Sequence, residues 1–140
     1  MTTLTYRDRT LAADSRTTTA GTIDPGTSTK VRRLSDGRLV GTTGQTAEAL
    51  RFVRWLEAGA EGEAPALHDS RVVIVSPDGG ISVHEAEGFY AAEGSEFYAW
   101  GSGAAAALGA LHVGATAAEA VQAATFVDPN SGGPVRALSL

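Results

Sequence analysis

Thr2 and Lys30 are the residues of this chain whose type and position most invite chemistry. Lys30 is the single lysine beside ten arginines. A lysine amine can shift its pKa and lose a proton when buried, whereas a guanidinium stays charged. Thr2 follows Met1, and removal of Met1 would leave a threonine at the start of the chain. Such a residue carries its own base, because its α-amine has an ordinary pKa of about 8 and can take the hydroxyl proton. An unstructured Met-Thr-Thr start is the plain alternative.

The elements around these residues follow from spacing. Thr3, Thr5 and Arg7 alternate with Leu4 and Tyr6, a strand pattern. Asp8-Arg9 serves as a tight turn, and Thr10 to Ser15 returns as a second strand. With a two-residue turn, Arg7 faces Thr10, Tyr6 faces Leu11, Thr3 faces Asp14 and Thr2 faces Ser15. The start of the chain is thereby held in a sheet beside a carboxylate, where termini otherwise fray. Residues 18–29 read as loop and short strand, Val31 to Leu34 as extended, and Arg38 to Thr43 as a strand. Thr46 is expected as the N-cap of a helix whose apolar face is Ala49, Phe52, Val53 and Leu56, ended by Gly59. Arg71 to Val75 and Ile81 to Glu85 flank the turn Ser76-Pro77-Asp78-Gly79-Gly80. The acidic stretch Glu85, Glu87, Glu93, Glu96 reads as a solvated loop. Phe97 to Trp100 is a strand, Ala104 to Leu111 a short helix, and 117–125 a helix behind the capping box Thr116-Ala117-Ala118-Glu119. Val135 to Leu140 is a last strand. The order predicts two antiparallel sheets with helices outside them, an α+β layered fold.

Composition narrows the function. With 140 residues the chain suits one domain, and 43% apolar residues suffice for one core. A net charge of −5 speaks against nucleic acid or an anionic membrane as main partner. The absence of cysteine removes thiol catalysis, disulfides and thiolate metal sites, and fits a reducing compartment. No run approaches the roughly 20 apolar residues of a membrane span, and Met1-Thr2-Thr3-Leu4-Thr5 lacks the pattern of a signal peptide. His68, His84 and His112 lack ligand spacing, so neither a metal nor a cofactor is expected.

Six short motifs resemble, in order, those of the proteasome β-subunit family and of the bacterial HslV peptidase in particular. They are Thr2-Thr3-Leu4; Leu11-Ala12-Ala13-Asp14-Ser15-Arg16; Lys30-Val31-Arg32-Arg33-Leu34; Gly41-Thr42-Thr43-Gly44-Gln45-Thr46-Ala47-Glu48-Ala49; Gly101-Ser102-Gly103; and Asp128-Pro129-Asn130-Ser131-Gly132-Gly133. The resemblance implies one N-terminal-nucleophile hydrolase domain over 1–140, a four-layer αββα sandwich with two antiparallel sheets and one helical layer shortened. It implies a threonine-type endopeptidase in the cytoplasm, acting on peptide or protein substrates.

The resemblance also assigns roles. Thr2 would be the nucleophile. Lys30 would lower the pKa of its hydroxyl, and Asp14 would hold Lys30. In the expected register Asp14 shares a face with Thr3, so its influence on Thr2 passes through Lys30. The Gly44 amide would donate to the oxyanion. Ser102, Asp128 and Ser131 would hold the Thr2 amine and a water. Thr42, with its neighbours Thr43 and Gln45, would line the substrate cleft. Taken singly, each has a plain structural reading: Asp14 as a turn carboxylate, Ser102 as a helix cap, 128–133 as a turn.

Two departures from the family bear on this. The first hairpin is shortened by an even number of residues, which preserves facing and favours Thr2 over Met1 as the nucleophile position; a register with Met1 there stays open. The long second helix of the family is missing between Leu56 and Arg71, where Gly59, Gly62 and Pro65 disfavour helix. A homo-oligomer is expected and a ring possible in principle, with an ATP-dependent unfoldase partner left open. The competing readings are an amidase of small amides and an inactive proteasome-like assembly subunit.

Overall fold

A computed structural model describes all 140 residues. β1 (Leu4–Arg7) and β2 (Thr10–Ala13) form the expected hairpin, with Leu4 opposite Ala13, Tyr6 opposite Leu11 and Arg7 opposite Thr10. Asp8 and Arg9 both adopt positive φ, 50° and 60°, the conformation of a two-residue turn that matches strand twist. The pairing continues past the strand ends, where the Asp14 amide donates to the Thr3 carbonyl at 3.2 Å.

The remaining elements are β3 (Thr18–Thr19), β4 (Thr22–Ile23), β5 (Val31–Arg33), β6 (Leu39–Gly44), α1 (Thr46–Glu57), β7 (Ser70–Val75), β8 (Ile81–Glu85), β9 (Gly88–Ala92), β10 (Phe97–Trp100), α2 (Ala104–His112), α3 (Ala117–Val127) and β11 (Arg136–Ser139). One sheet runs β10-β1-β2-β11 and the other β5-β6-β7-β8-β9; β3 and β4 pair as a small ribbon. Every pairing in the two large sheets is antiparallel.

Strand alternation explains the layers. In β1, Leu4 and Tyr6 face the other sheet and join Leu11, Leu39, Val73, Val75 and Val83 in the core between the sheets. Thr5 faces the opposite way, where its hydroxyl donates to the Ala117 carbonyl in α3 at 2.7 Å. In β6, Leu39 enters the inter-sheet core and Val40 meets Phe52, Val53 and Leu56 of α1. Each buried aliphatic side chain contributes about 2 kcal/mol of transfer free energy. On the outer face of the first sheet, α2 and α3 pack through Ala107, Leu111, Ala120 and Ala124. Small residues there let the helices approach each other and the sheet closely.

The structure corrects two expectations. Gln45, not Thr46, caps α1: its side chain accepts from the Glu48 amide at 2.9 Å, and Thr46 is the first helical residue. The acidic stretch is not a loop throughout, because β9 runs through it as an edge strand paired to β8. Phe89 and Tyr90 of that strand are largely exposed, so it carries little of the burial that marks strands in sequence. The gap after Leu56 is as expected: residues 58–69 contain no helix. No helix is long and apolar enough to cross a membrane.

Candidate active site

The hairpin brings Thr2 and Thr3 to the end of the first sheet, and four other segments close around them. Thr2 is buried at 2% exposure, whereas Met1 remains 57% exposed. Gly101-Ser102-Gly103, between β10 and α2, runs against this end. Gly101 has φ +97°, and a Cβ there would overlap the Thr2 carbonyl oxygen, so backbone meets backbone only because the side chain is absent.

One polar arm lies on the side of Lys30. Its Nζ sits 3.0 Å from Asp14 Oδ1, and both side chains are almost wholly removed from solvent. Asp14 Oδ1 also accepts the Thr3 amide at 3.0 Å, and Oδ2 accepts the amides of Arg16 at 3.1 Å and Gly132 at 3.0 Å. Three backbone donors and one ammonium therefore satisfy the buried carboxylate, as burial of a charge demands. The Thr2 hydroxyl donates to the Met1 carbonyl oxygen at 2.6 Å, and Lys30 Nζ approaches the same oxygen at 3.4 Å. Hydroxyl and ammonium thus converge on one atom. Burial pushes the Lys30 amine below its ordinary pKa, with Asp14 acting in the opposite sense.

The other arm lies on the side of the Thr2 nitrogen, which donates to Ser102 Oγ at 3.1 Å. Ser102 and Ser131 both reach Asp128 Oδ2 at 2.7 Å, and the Asn130 amide donates to Oδ1 at 3.1 Å. Burial raises the Asp128 pKa, but these hydrogen bonds outweigh it and hold the carboxyl below the usual range. Each hydroxyl has one proton. Since Ser102 commits its proton to the carboxylate, it accepts from Thr2. Ser131 does not touch Thr2; it bonds Asp128 and, at 2.7 Å, Thr3 Oγ1. Ser102 is not a helix cap, because α2 begins behind Gly103 without a side-chain cap. The chain's amino group, here that of Met1, is pushed below its ordinary pKa by burial and then by Lys30.

A small cleft of about 60 Å³ opens beside Thr2, with Lys30, Thr42, Thr43, Gly44 and the α1 residues Ala49 and Leu50 in its wall. Gly44 has φ +87°, and a Cβ there would overlap the Asp69 carbonyl oxygen, so the strand-to-helix turn requires glycine. Gln45 lies outside this cleft, along a wider groove of about 700 Å³ shared with Met1, Gly44 and Asp69, and its side-chain oxygen is engaged in capping α1.

All seven residues expected to be catalytic, Thr2, Asp14, Lys30, Gly44, Ser102, Asp128 and Ser131, therefore lie around one end of the sandwich. The reading from sequence missed Thr3 as a polar link and missed the Arg16 and Gly132 amides as partners of Asp14. The facing of Thr3 and Asp14 was the one available signal, because backbone donors carry no residue-type signature.

The fold is the two-sheet sandwich of N-terminal-nucleophile hydrolases, of the proteasome-like HslV type. Many solved chains share it, among them the following three. Crystalline eukaryotic HslV from Trypanosoma brucei superposes with a TM-score of 0.73 at 19% identity, over 99% of each chain. BPH from Thiobacillus denitrificans gives 0.69 at 23% identity, over 99% of this chain and 96% of that one. The same BPH in complex with epoxomicin gives 0.70 at 23% identity, over 99% and 97%. No family model matches the chain, and no curated protein matches it in sequence.

Proposed function

We propose that the chain is a threonine-type peptidase in which Thr2, freed of Met1, is the nucleophile. The observation that carries this reading is the convergence of the Thr2 hydroxyl and the buried Lys30 ammonium on the Met1 carbonyl oxygen. With Met1 removed, the Thr2 nitrogen becomes an amine. One of its N–H bonds points to Ser102, whose own proton is held by Asp128, so the lone pair is left for the adjacent hydroxyl proton. The alkoxide forming on Thr2 is favoured by Lys30. It attacks the scissile carbonyl carbon, and the Gly44 amide stabilises the oxyanion, a contribution of about 3 kcal/mol. The Thr2 ammonium returns its proton to the leaving amine as the C–N bond breaks. Water then hydrolyses the ester, with the same amine as base.

Epoxomicin, bound by the similar BPH, is the probe. Intact mass of the purified chain reads loss of Met1, and incubation with epoxomicin reads reactivity. The expected result is one adduct located at Thr2 and absent from Thr2→Ala. A Met1-free chain that takes no adduct and cleaves no peptide would sink the reading.

The same reading includes assembly with copies of itself. Val113, Phe126 and Val127, on or beside α2 and α3, are between 65% and 91% exposed, an uncovered apolar surface at the outer helical layer. Mass in solution above that of one chain is expected.

A further inference from the structure

Thr3 joins the two polar arms that the site otherwise keeps apart. Its amide donates to Asp14 Oδ1 at 3.0 Å, the oxygen that also binds Lys30. Its hydroxyl lies 2.7 Å from Ser131 Oγ. Ser131 spends its only proton on Asp128 Oδ2, so Thr3 is the donor in that pair. A directed chain results: Thr3 hydroxyl to Ser131, Ser131 to Asp128, Ser102 to Asp128, and the Thr2 nitrogen to Ser102. Thr3 and Ser131 are both at 0% exposure, so no water replaces either partner. The placement is tight, since a Cβ on Gly103 would overlap Thr3 Oγ1.

We infer that Thr3 is a positioning residue for the site at Thr2: its hydroxyl orients Ser131 toward Asp128, while its amide anchors the Asp14–Lys30 pair. The inference rests on the peptidase reading for its consequence in turnover, but its structural content can be measured without turnover. A hydroxyl that accepts one hydrogen bond donates a stronger one. Losing the Thr3 hydroxyl therefore weakens the Ser131 bond that helps keep Asp128 ionised. The Thr3 amide is unaffected by side-chain substitution, so the Asp14–Lys30 arm serves as an internal control. The charged groups that act on Asp128 are the chain's amino group and Lys30, and both are unchanged in the variants.

The test compares Thr3→Val, which keeps the shape and loses the hydroxyl, with Thr3→Ser, which keeps the hydroxyl and loses a methyl. The Asp128 carboxyl carbon is titrated by NMR, and peptide turnover is followed separately. Thr3→Val should move the Asp128 midpoint upward and lower kcat about tenfold with KM unchanged. Thr3→Ser should restore both. In a Ser131→Ala background, Thr3→Val should add nothing, because the two act in one chain. Should Thr3→Val fail to fold, Thr3→Ala carries the same comparison with Thr3→Ser. An Asp128 midpoint indifferent to the hydroxyl overturns the inference even if the enzyme is active. A shifted midpoint in a Met1-free chain that cleaves nothing and takes no epoxomicin adduct leaves the inference standing and removes the peptidase reading.

Discussion

Thr2 and Ser102 are 100 residues apart in sequence, yet the Thr2 nitrogen donates to Ser102 Oγ at 3.1 Å. The contact exists because β10 lies beside β1 and the glycines after Trp100 let the chain turn back across Thr2. Replacing Ser102 by alanine removes the acceptor of that nitrogen and one of the three donors to Asp128. We expect kcat to fall about ten- to a hundredfold, with the acidic limb of the rate profile shifted to higher pH. A profile of unchanged shape would refute this role.

The Thr2 hydroxyl meets only the Met1 carbonyl among hydrogen-bond partners, a contact that leaves with Met1. Thr2→Ala should therefore leave the thermal midpoint nearly unchanged while lowering peptide turnover about a thousandfold or more. Full turnover by this variant would assign the chemistry to another residue.

Lys30 and Asp14 form a buried ion pair, and removing one partner leaves the other charge uncompensated. Lys30→Met should cost about 3 kcal/mol of stability, read as a lower urea midpoint, and should abolish turnover. The cost exceeds that of any surface pair here, because Arg38–Asp36 and Arg71–Glu85 sit in partial contact with water.

Asp128 ties stability to pH. Its carboxyl is held below the ordinary aspartate value by hydrogen bonds that outweigh its burial. The folded state therefore binds this proton less tightly than the unfolded state. The stabilisation is complete above the ordinary pKa of about 4 and is lost as pH falls through the lower folded value. Chemical unfolding between pH 6 and about 2 should show a decline that is shallower in Asp128→Asn. Equal slopes in the two proteins would contradict it.

Gly101 carries a backbone requirement. With φ +97° and the Thr2 carbonyl where a Cβ would stand, Gly101→Ala should lower stability by about 2 kcal/mol or more. It should also displace Thr2 from Ser102, so that activity is lost even at temperatures where the variant remains folded. Differential scanning calorimetry and peptide turnover on the same sample check both.

Much of this was legible in the residues themselves. The register of the first hairpin follows from a two-residue turn and period-two alternation, which leave one pairing that buries Leu4, Tyr6 and Leu11 together. The apolar face of α1 and the capping box of α3 are local signals of the same kind. The helix cap was misplaced because Gln45 competes with Thr46 for the same amide, and propensity alone favours threonine. Strand β9 was missed because an exposed edge strand lacks the alternating burial by which strands announce themselves. Lys30 stood out by composition alone, as the one position where arginine was not used. What only the tertiary structure decided is which polar groups satisfy which. The three backbone amides on Asp14, and the direction in which protons run from Thr3 to Ser131 and from Ser102 to Asp128, depend on distances between segments far apart in the chain. Hydrogen bonds of this kind form only once packing has excluded the water that would otherwise compete for each of these groups.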